Sequence, residues 1–201
     1  MSFRKEKKFR LSLSDMLEMK KSLLSFGMTE LYSPRLINSC YFDSNDLRLH
    51  NESEEGVLPR KKIRIRWYGQ ESYFTKEVKV SSIEGRYKYA EKIESLHSIE
   101  DIKNISFFDD SYGVLLPVLI VIYEREYYSL RNLRITFDKN LSYSDLRSNA
   151  MPTFKDSECV MEVKVPIDCD DDYIEEIVHH PTSRFSKYSR GLLYADGQIK
   201  S

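Results

Sequence analysis

The residues best suited to chemistry here are cations set at every second position. In "RKKIRIRWYG", residues 60 to 69, Lys62, Arg64 and Arg66 alternate with Ile63, Ile65 and Trp67. On a strand this pattern puts the three cations on one face, roughly 6.6 Å apart, and the apolar residues on the other. Like charges so placed repel one another unless something negative sits among them, and a multivalent anion would settle that repulsion. Arginine offers planar, bidentate donors matched to phosphate oxygens, and lysine offers point charge. The pattern recurs. "LRITFD" sets Arg134, Thr136 and Asp138 against Leu133, Ile135 and Phe137, and "VMEVKV" sets Glu162 and Lys164 with Val160 against Met161, Val163 and Val165. "YFTKEVKV" sets Thr75, Glu77 and Lys79 against Lys76, Val78 and Val80, with Lys76 spoiling the apolar side. A noisier first strand groups Arg4, Glu6, Lys8 and Arg10, with Lys5 and Lys7 interrupting the other side between Phe3 and Phe9.

For any one strand, the simpler reading is a half-buried sheet with its polar face in water. Repetition argues otherwise, because these faces carry arginine and lysine again and again with a single carboxylate per strand. A sheet curled with that face inward would make a basic tunnel. Its carboxylates would suit a hard divalent cation, Mg²⁺ or Mn²⁺, which takes oxygen ligands and is usually shared with phosphate.

The elements that must position these side chains are mostly strands. Alternation and β-branched or aromatic content predict strands over 3–11, 38–43, 61–68, 72–80, 120–129, 132–138 and 158–165. Leu13, Met16, Leu17, Leu23 and Leu24 recur at helical spacing after Ser12, and Gly27 suits a left-handed position past the end, so residues 13–26 read as an amphipathic helix. Shorter helices are expected in parts of 99–107, 112–119 and 172–179. Strands that follow one another without regular intervening helices favour an antiparallel α+β sheet over a parallel doubly wound one.

Composition bounds the partners. The chain has 201 residues, read as one domain over 1–201, and its 31 basic and 32 acidic residues give a formal charge of −1. No global field would draw it to nucleic acid or a membrane, so electrostatic function must arise locally. Cys40, Cys159 and Cys169 have no paired spacing, which fits a reducing compartment, with cytoplasm as the expected location. No apolar region follows the basic start, and the run from Val114 to Tyr123 is short and broken by Pro117, so neither a signal peptide nor a membrane segment is expected.

These residues resemble the VTC-type polyphosphate polymerase domain of the triphosphate tunnel metalloenzyme (CYTH-like) superfamily. The similarity runs from Phe3 to about Leu192 through "RKEKKF", "CYFDS", "RIRWYG", "KEVK", "YEREYY", "RITFD", "MEVKV" and "RFSKYSRG". "RIRWYG" and the late "SKY" element, with "MEVK" between them, carry most of its specificity. The resemblance implies an α+β fold: an antiparallel eight-stranded β-barrel forming a triphosphate tunnel, with flanking helices. It implies Arg64, Arg66, Lys79, Arg134 and Lys187 as the phosphate ligands that carry catalysis. Further phosphate contacts would come from Lys8, Lys62, Lys88, Arg125, Lys164 and Arg184, and the metal, Mn²⁺ or Mg²⁺, would be held by Glu162 with Glu6. The implied partners are ATP, triphosphate or polyphosphate, with no nucleic acid; a separate membrane partner is left open. Two departures stand out. Arg4 replaces the earlier of the two glutamates that many tunnel enzymes carry on the first strand, which puts a hydrolytic two-metal site in doubt. Arg184 stands where a lysine is common.

In the polymerase reading, ATP donates its γ-phosphoryl group to the end of a growing polyphosphate chain. The attacking oxygen is already ionised, so no Ser–His–Asp or Cys–His apparatus is required. The alternatives are an inorganic or nucleoside triphosphatase and a non-catalytic module that binds polyphosphate or nucleotide. Other features carry less. His179 and His180 are adjacent and have no metal spacing, "DCDDD" at 168–172 lacks the glycine and final glutamate of a calcium loop, and most of the 14 tyrosines are expected to fill strand faces. Tyr123 and Tyr127 flank Arg125 on one face and are expected to line the tunnel.

Overall fold

The computed structural model describes residues 4–69, 73–166 and 171–199. Phe3, Cys169 and most of "DCDDD" lie outside them. In chain order the elements are β1 (Arg4–Leu11), α1 (Leu13–Ser25), β2 (Thr29–Asp43), α2 (Arg48–Glu55), β3 (Arg60–Tyr68), β4 (Thr75–Ser82) and β5 (Gly85–Lys92). They continue with α3 (Ile99–Asn104), β6 (Phe107–Asp109), β7 (Gly113–Leu130), β8 (Leu133–Asp145), β9 (Thr153–Lys155), β10 (Cys159–Pro166), α4 (Asp171–Ile177) and α5 (Lys187–Ala195). Eight strands form one path, β1-β10-β8-β7-β2-β3-β4-β5, with β6 beside β7 and β9 beside β8. Along it β1–β10, β10–β8, β2–β3, β3–β4 and β4–β5 are all antiparallel pairs. The fold is therefore α+β with an antiparallel eight-strand path and flanking helices; the alternation predicts the antiparallel α+β sheet, and the resemblance implies its eight strands.

The chain divides into two compact units. The first comprises Met1–Leu36, Tyr123–Leu141 and Lys155–Ser186. Its core joins Phe9 and Leu11 of β1, Leu133, Ile135 and Phe137 of β8, and Met161, Val163 and Val165 of β10 to Met16 and Leu23 of α1. Each of these strands supplies the apolar set that its alternation predicts, which fixes the register, since a one-residue slip would turn the whole set away. Ser12 caps α1 through a reciprocal box. Its hydroxyl accepts from the Asp15 N–H at 3.1 Å, and the Asp15 carboxylate accepts from the Ser12 N–H at 3.2 Å. Gly27, at φ +93°, ends the helix in the left-handed region where a side chain would be strained. The helix buries less than its spacing implies: Leu13, Leu17 and Leu24 are about half exposed, and only Met16 and Leu23 are buried. Lys7, which interrupts the apolar side of β1, lies 3.5 Å from Glu175 of α4.

The second unit comprises Ile37–Ile122, Ser142–Phe154 and Lys187–Ser201. Ile63, Ile65 and Trp67 of β3 are buried with Cys40 and Phe42 of β2, Leu49 of α2, Ile102 of α3 and Leu115 and Ile120 of β7. Lys76, on the apolar side of β4, sits 4.2 Å over the Phe107 ring, so its charge is held against an aromatic face. The helix expected within 112–119 is not formed; those residues belong to β7. Phe107, Phe108 and Asp109 pair with Leu115, Val114 and Gly113, and Pro117 could not donate within a helix. Val118, Leu119, Ile120 and Val121 are buried in succession, which is the mark of a strand covered on both faces. A helix does occupy part of 99–107, as α3, before the chain turns into β6; α2 and α5 have no counterpart among the expected elements. Helix α2 lacks a side-chain cap at Leu47. Instead the buried Asp43 carboxylate accepts from the N–H groups of Leu49 and His50, both at 2.9 Å.

Candidate functional site

In the second unit the polar faces of β2, β3, β4 and β5 line up by register. Lys62 pairs with Lys79 and Lys79 with Lys88, so three lysines stand in one row across three strands. Arg64 pairs with Tyr41 on one side and Glu77 on the other, and Arg66 pairs with Ser39 and Thr75. Glu77 is the hub. Its carboxylate accepts from Arg64 Nε at 2.8 Å and from Lys88 Nζ at 2.6 Å, and Arg66 Nη1 lies 3.8 Å away. Burial pushes the Glu77 carboxyl up, but Arg64 and Arg66, with the bond from Lys88, outweigh it and bring its pKa down to about 2. Glu77 is thus ionised at neutral pH. Three cations, Arg64, Arg66 and Lys88, gather on this carboxylate, and Lys62 and Lys79 stand in the adjoining row of the same face. Arg64 also donates to the Tyr41 hydroxyl at 3.1 Å, and Arg66 Nε donates to Ser39 Oγ at 3.3 Å. Burial raises the Tyr41 phenol, yet Arg64, Arg66 and Lys62 more than reverse this and lower its pKa to about 8.

Lys187 opens α5, and the next two residues anchor that helix. The Tyr188 hydroxyl donates to Asp43 at 2.8 Å, and its ring stacks on Tyr41 at 4.8 Å and 8°. Ser189 donates to Glu54 of α2 at 2.7 Å. Burial, followed by the Asp43 charge, holds Tyr188 protonated, with its pKa well above the usual phenol range. Tyr188 therefore serves as a donor and fixes the backbone that presents Lys187.

In the first unit, β1, β10 and β8 give a second polar face. One row runs Lys8, Glu162, Thr136, and the next Glu6, Lys164, Arg134. Lys8 Nζ lies 3.5 Å from Glu6 and 3.6 Å from Glu162, and donates to the Phe185 carbonyl at 3.0 Å. Lys164 Nζ lies 3.9 Å from Glu6 and 3.7 Å from Glu162. Arg125 grips Asp138 with two bonds of 2.5 and 2.6 Å and lies 3.6 Å from Glu162. Burial alone would lower the Arg125 pKa; Asp138 and Glu162 raise it well above the ordinary value, so the guanidinium stays charged. Arg184 is exposed, one residue before Phe185.

The predicted residues thus gather in two sets. Lys8, Glu6, Arg125, Arg134, Glu162 and Lys164 belong to the first unit; Lys62, Arg64, Arg66, Lys79 and Lys88 share one face of the sheet in the second, and Lys187 belongs to the second unit through α5. Sequence reading missed Ser39, Tyr41 and Asp43, although "NSCYFD" alternates them with Cys40 and Phe42 in the same period of two. It also missed Asp138 as the partner of Arg125, a pairing across strands that a linear pattern does not display.

The oxygen set can be tested against a divalent cation. The Thr136 hydroxyl, in register with Glu162, is buried and has no hydrogen-bond partner, which marks a place where an oxygen donor lacks its counterpart. Among the described residues no three His, Cys, Asp or Glu side chains form a ready metal cage. Mg²⁺ commonly needs only one or two carboxylates, with water and phosphate completing its shell. Glu6 and Glu162, bridged by shared lysines beside Thr136, fit that partial set.

No helix among the described residues is long and apolar enough to cross a membrane. Comparison with curated proteins returns no match. Among solved structures the chain is similar to a proposed adenylyl cyclase from Hippeastrum described as having a dominant triphosphatase activity, with 15% identity and a TM-score of 0.54 over 98% of both chains. It is also similar to a proposed adenylate cyclase from Vibrio parahaemolyticus, with 13% identity and a TM-score of 0.54 over 95% of this chain and 98% of that one. A Pyrococcus horikoshii protein aligns at 13% identity and a TM-score of 0.57 over 97% of this chain and 99% of that one. At these identities the likeness is one of fold. The VTC domain family matches residues 3–195, nearly the whole length, and the chain belongs to that family.

Proposed function

We propose that this chain is a metal-dependent phosphotransferase that passes the γ-phosphoryl group of ATP to a growing polyphosphate chain. The observation that carries the reading is the convergence of cations on β3, β4 and β5, where Arg64, Arg66 and Lys88 gather on Glu77 and Lys62 and Lys79 stand in the adjoining row. A phosphate chain is the ligand such a face suits, with Arg64 and Arg66 as bidentate donors and Lys62, Lys79, Lys88 and Lys187 as point charges. Lys8, Arg125, Arg134 and Lys164 serve phosphate in the first unit, with Arg184 as a further contact. Glu162 and Glu6 would hold Mn²⁺ or Mg²⁺, with the Thr136 hydroxyl beside them. When bound, such an ion neutralises charge that develops on phosphate oxygens. The side chains orient the donor phosphate and screen repulsion between it and the acceptor. Because the acceptor oxygen is already anionic, the reaction asks for positioning and charge rather than a base.

A triphosphatase is the second reading, and its support is the activity described for the Hippeastrum protein that shares the fold. Product identity separates the two. Purified protein with ATP and Mn²⁺ is expected to yield ADP and long phosphate chains; ADP with free phosphate would make it a hydrolase, and binding without turnover a recognition module. Glu162→Gln is expected to cut metal-dependent turnover at least 100-fold while ATP still binds, and a wild-type rate in that variant would overturn the assignment of Glu162.

A further inference from the structure

The residues assigned to phosphate leave the rest of a nucleotide without a seat. Around Arg134, the one member of that set involved, the first unit carries a cluster of two tyrosines and a second arginine, Arg35. The Tyr32 and Tyr127 rings meet edge to face at 5.8 Å. The Arg35 guanidinium lies 5.9 Å from both ring centroids, and the Arg134 guanidinium lies 5.9 Å over Tyr32. Residues Glu30 to Arg35 line a shallow, open depression on the surface. Tyr32 is 50% exposed, in a stretch of β2 that is exposed throughout from Thr29 to Leu36. Its ring is open to solvent beside two delocalised cations, Arg35 and Arg134.

The cluster is joined to the phosphate set through Arg134. That residue pairs in register with Lys164, which pairs with Glu6, so the path from the aromatic rings to the carboxylates crosses β8, β10 and β1. Two strand spacings make roughly 10 Å, a span that a ribose and a short phosphate chain can cover. Tyr127 is two residues from Arg125 and shares its side of β7.

We propose that Tyr32 and Tyr127, with Arg35 and Arg134, form the platform on which the base of a nucleoside triphosphate stacks, setting the donor's orientation on the phosphate face. This rests on the phosphotransferase reading and names the part of the donor that reading leaves unplaced. Aromatic faces and guanidinium planes both stack with nucleobases, and stacking tolerates any base. The platform therefore selects nucleotide over bare phosphate chain, and GTP should bind about as well as ATP.

The test compares ATP with inorganic tripolyphosphate as ligands of the full chain, using wild type, Tyr32→Ala and Tyr32→Trp. Loss of one stacking face should weaken ATP about tenfold in Tyr32→Ala, leave tripolyphosphate within about twofold, and be reversed in Tyr32→Trp. An unchanged ATP affinity, or an equal loss for both ligands, overturns the platform while leaving the phosphate site standing. Failure of the wild type to bind tripolyphosphate at all is a different result, and overturns the phosphotransferase reading together with the platform.

Discussion

At the scale of single residues, the candidate site is built on cations gathered around a buried carboxylate. Glu77 is held near a pKa of 2 by Arg64, Arg66 and Lys88, so it acts as a fixed counter-charge at any physiological pH. Tyr41 is different. Its phenol is brought down to about 8 by the same arginines, so it ionises within reach of ordinary assay buffers. Above that pH a phenolate beside Arg64 competes with phosphate for the guanidinium. By linkage, a bound polyanion must raise the Tyr41 pKa and a rising pH must weaken the polyanion. Tripolyphosphate affinity should fall roughly three- to tenfold between pH 7 and 9, and Tyr41→Phe should flatten that part of the profile. Titration calorimetry across this range checks it, and an unchanged slope in the phenylalanine variant would remove Tyr41 from the site.

At the scale of elements, strands with a clean period of two were legible before any coordinates. Ile63, Ile65 and Trp67 point to the core because Lys62, Arg64 and Arg66 cannot, and one residue type fixes the face of the other. The same logic held for Leu133, Ile135 and Phe137 and for Met161, Val163 and Val165. What sequence concealed was cross-strand partnership, as in Arg125 with Asp138, and elements whose stabilising contacts lie far away in the chain. Helix α2 starts on the Asp43 carboxylate rather than on its own cap, and α5 is held by Tyr188 and Ser189 reaching Asp43 and Glu54. The run from Val114 to Tyr123 misled because an apolar sequence, with Val118 to Val121 buried in succession, lacks the polar alternation that separates strand from helix. Gly191 shows how closely α5 is seated: a Cβ there would lie 2.5 Å from Leu119 Cδ2 and 2.7 Å from Tyr143 Cδ1. Gly191→Ala should therefore destabilise the fold by about 1–3 kcal/mol, the usual cost of overpacking, which a urea melt would detect. A variant as stable as wild type would show that α5 is more loosely seated than described.

At the scale of the molecule, a formal charge of −1 hides strong local order. Strands β3, β4 and β5 carry more cations than carboxylates, so the net figure excludes a general polyanion binder without touching a specific one. Family membership and fold set the frame, and the arrangement of charge within it points to phosphate chains. The most direct test is calorimetric titration of tripolyphosphate into the wild type and into an Arg64→Gln/Arg66→Ala variant, with thermal melts to verify that the variant folds. Charge-assisted hydrogen bonds from two arginines, each worth about 1.5–3 kcal/mol, predict a loss of about 100-fold or more in affinity. Equal affinity in a folded variant, or no binding by the wild type, would contradict the account.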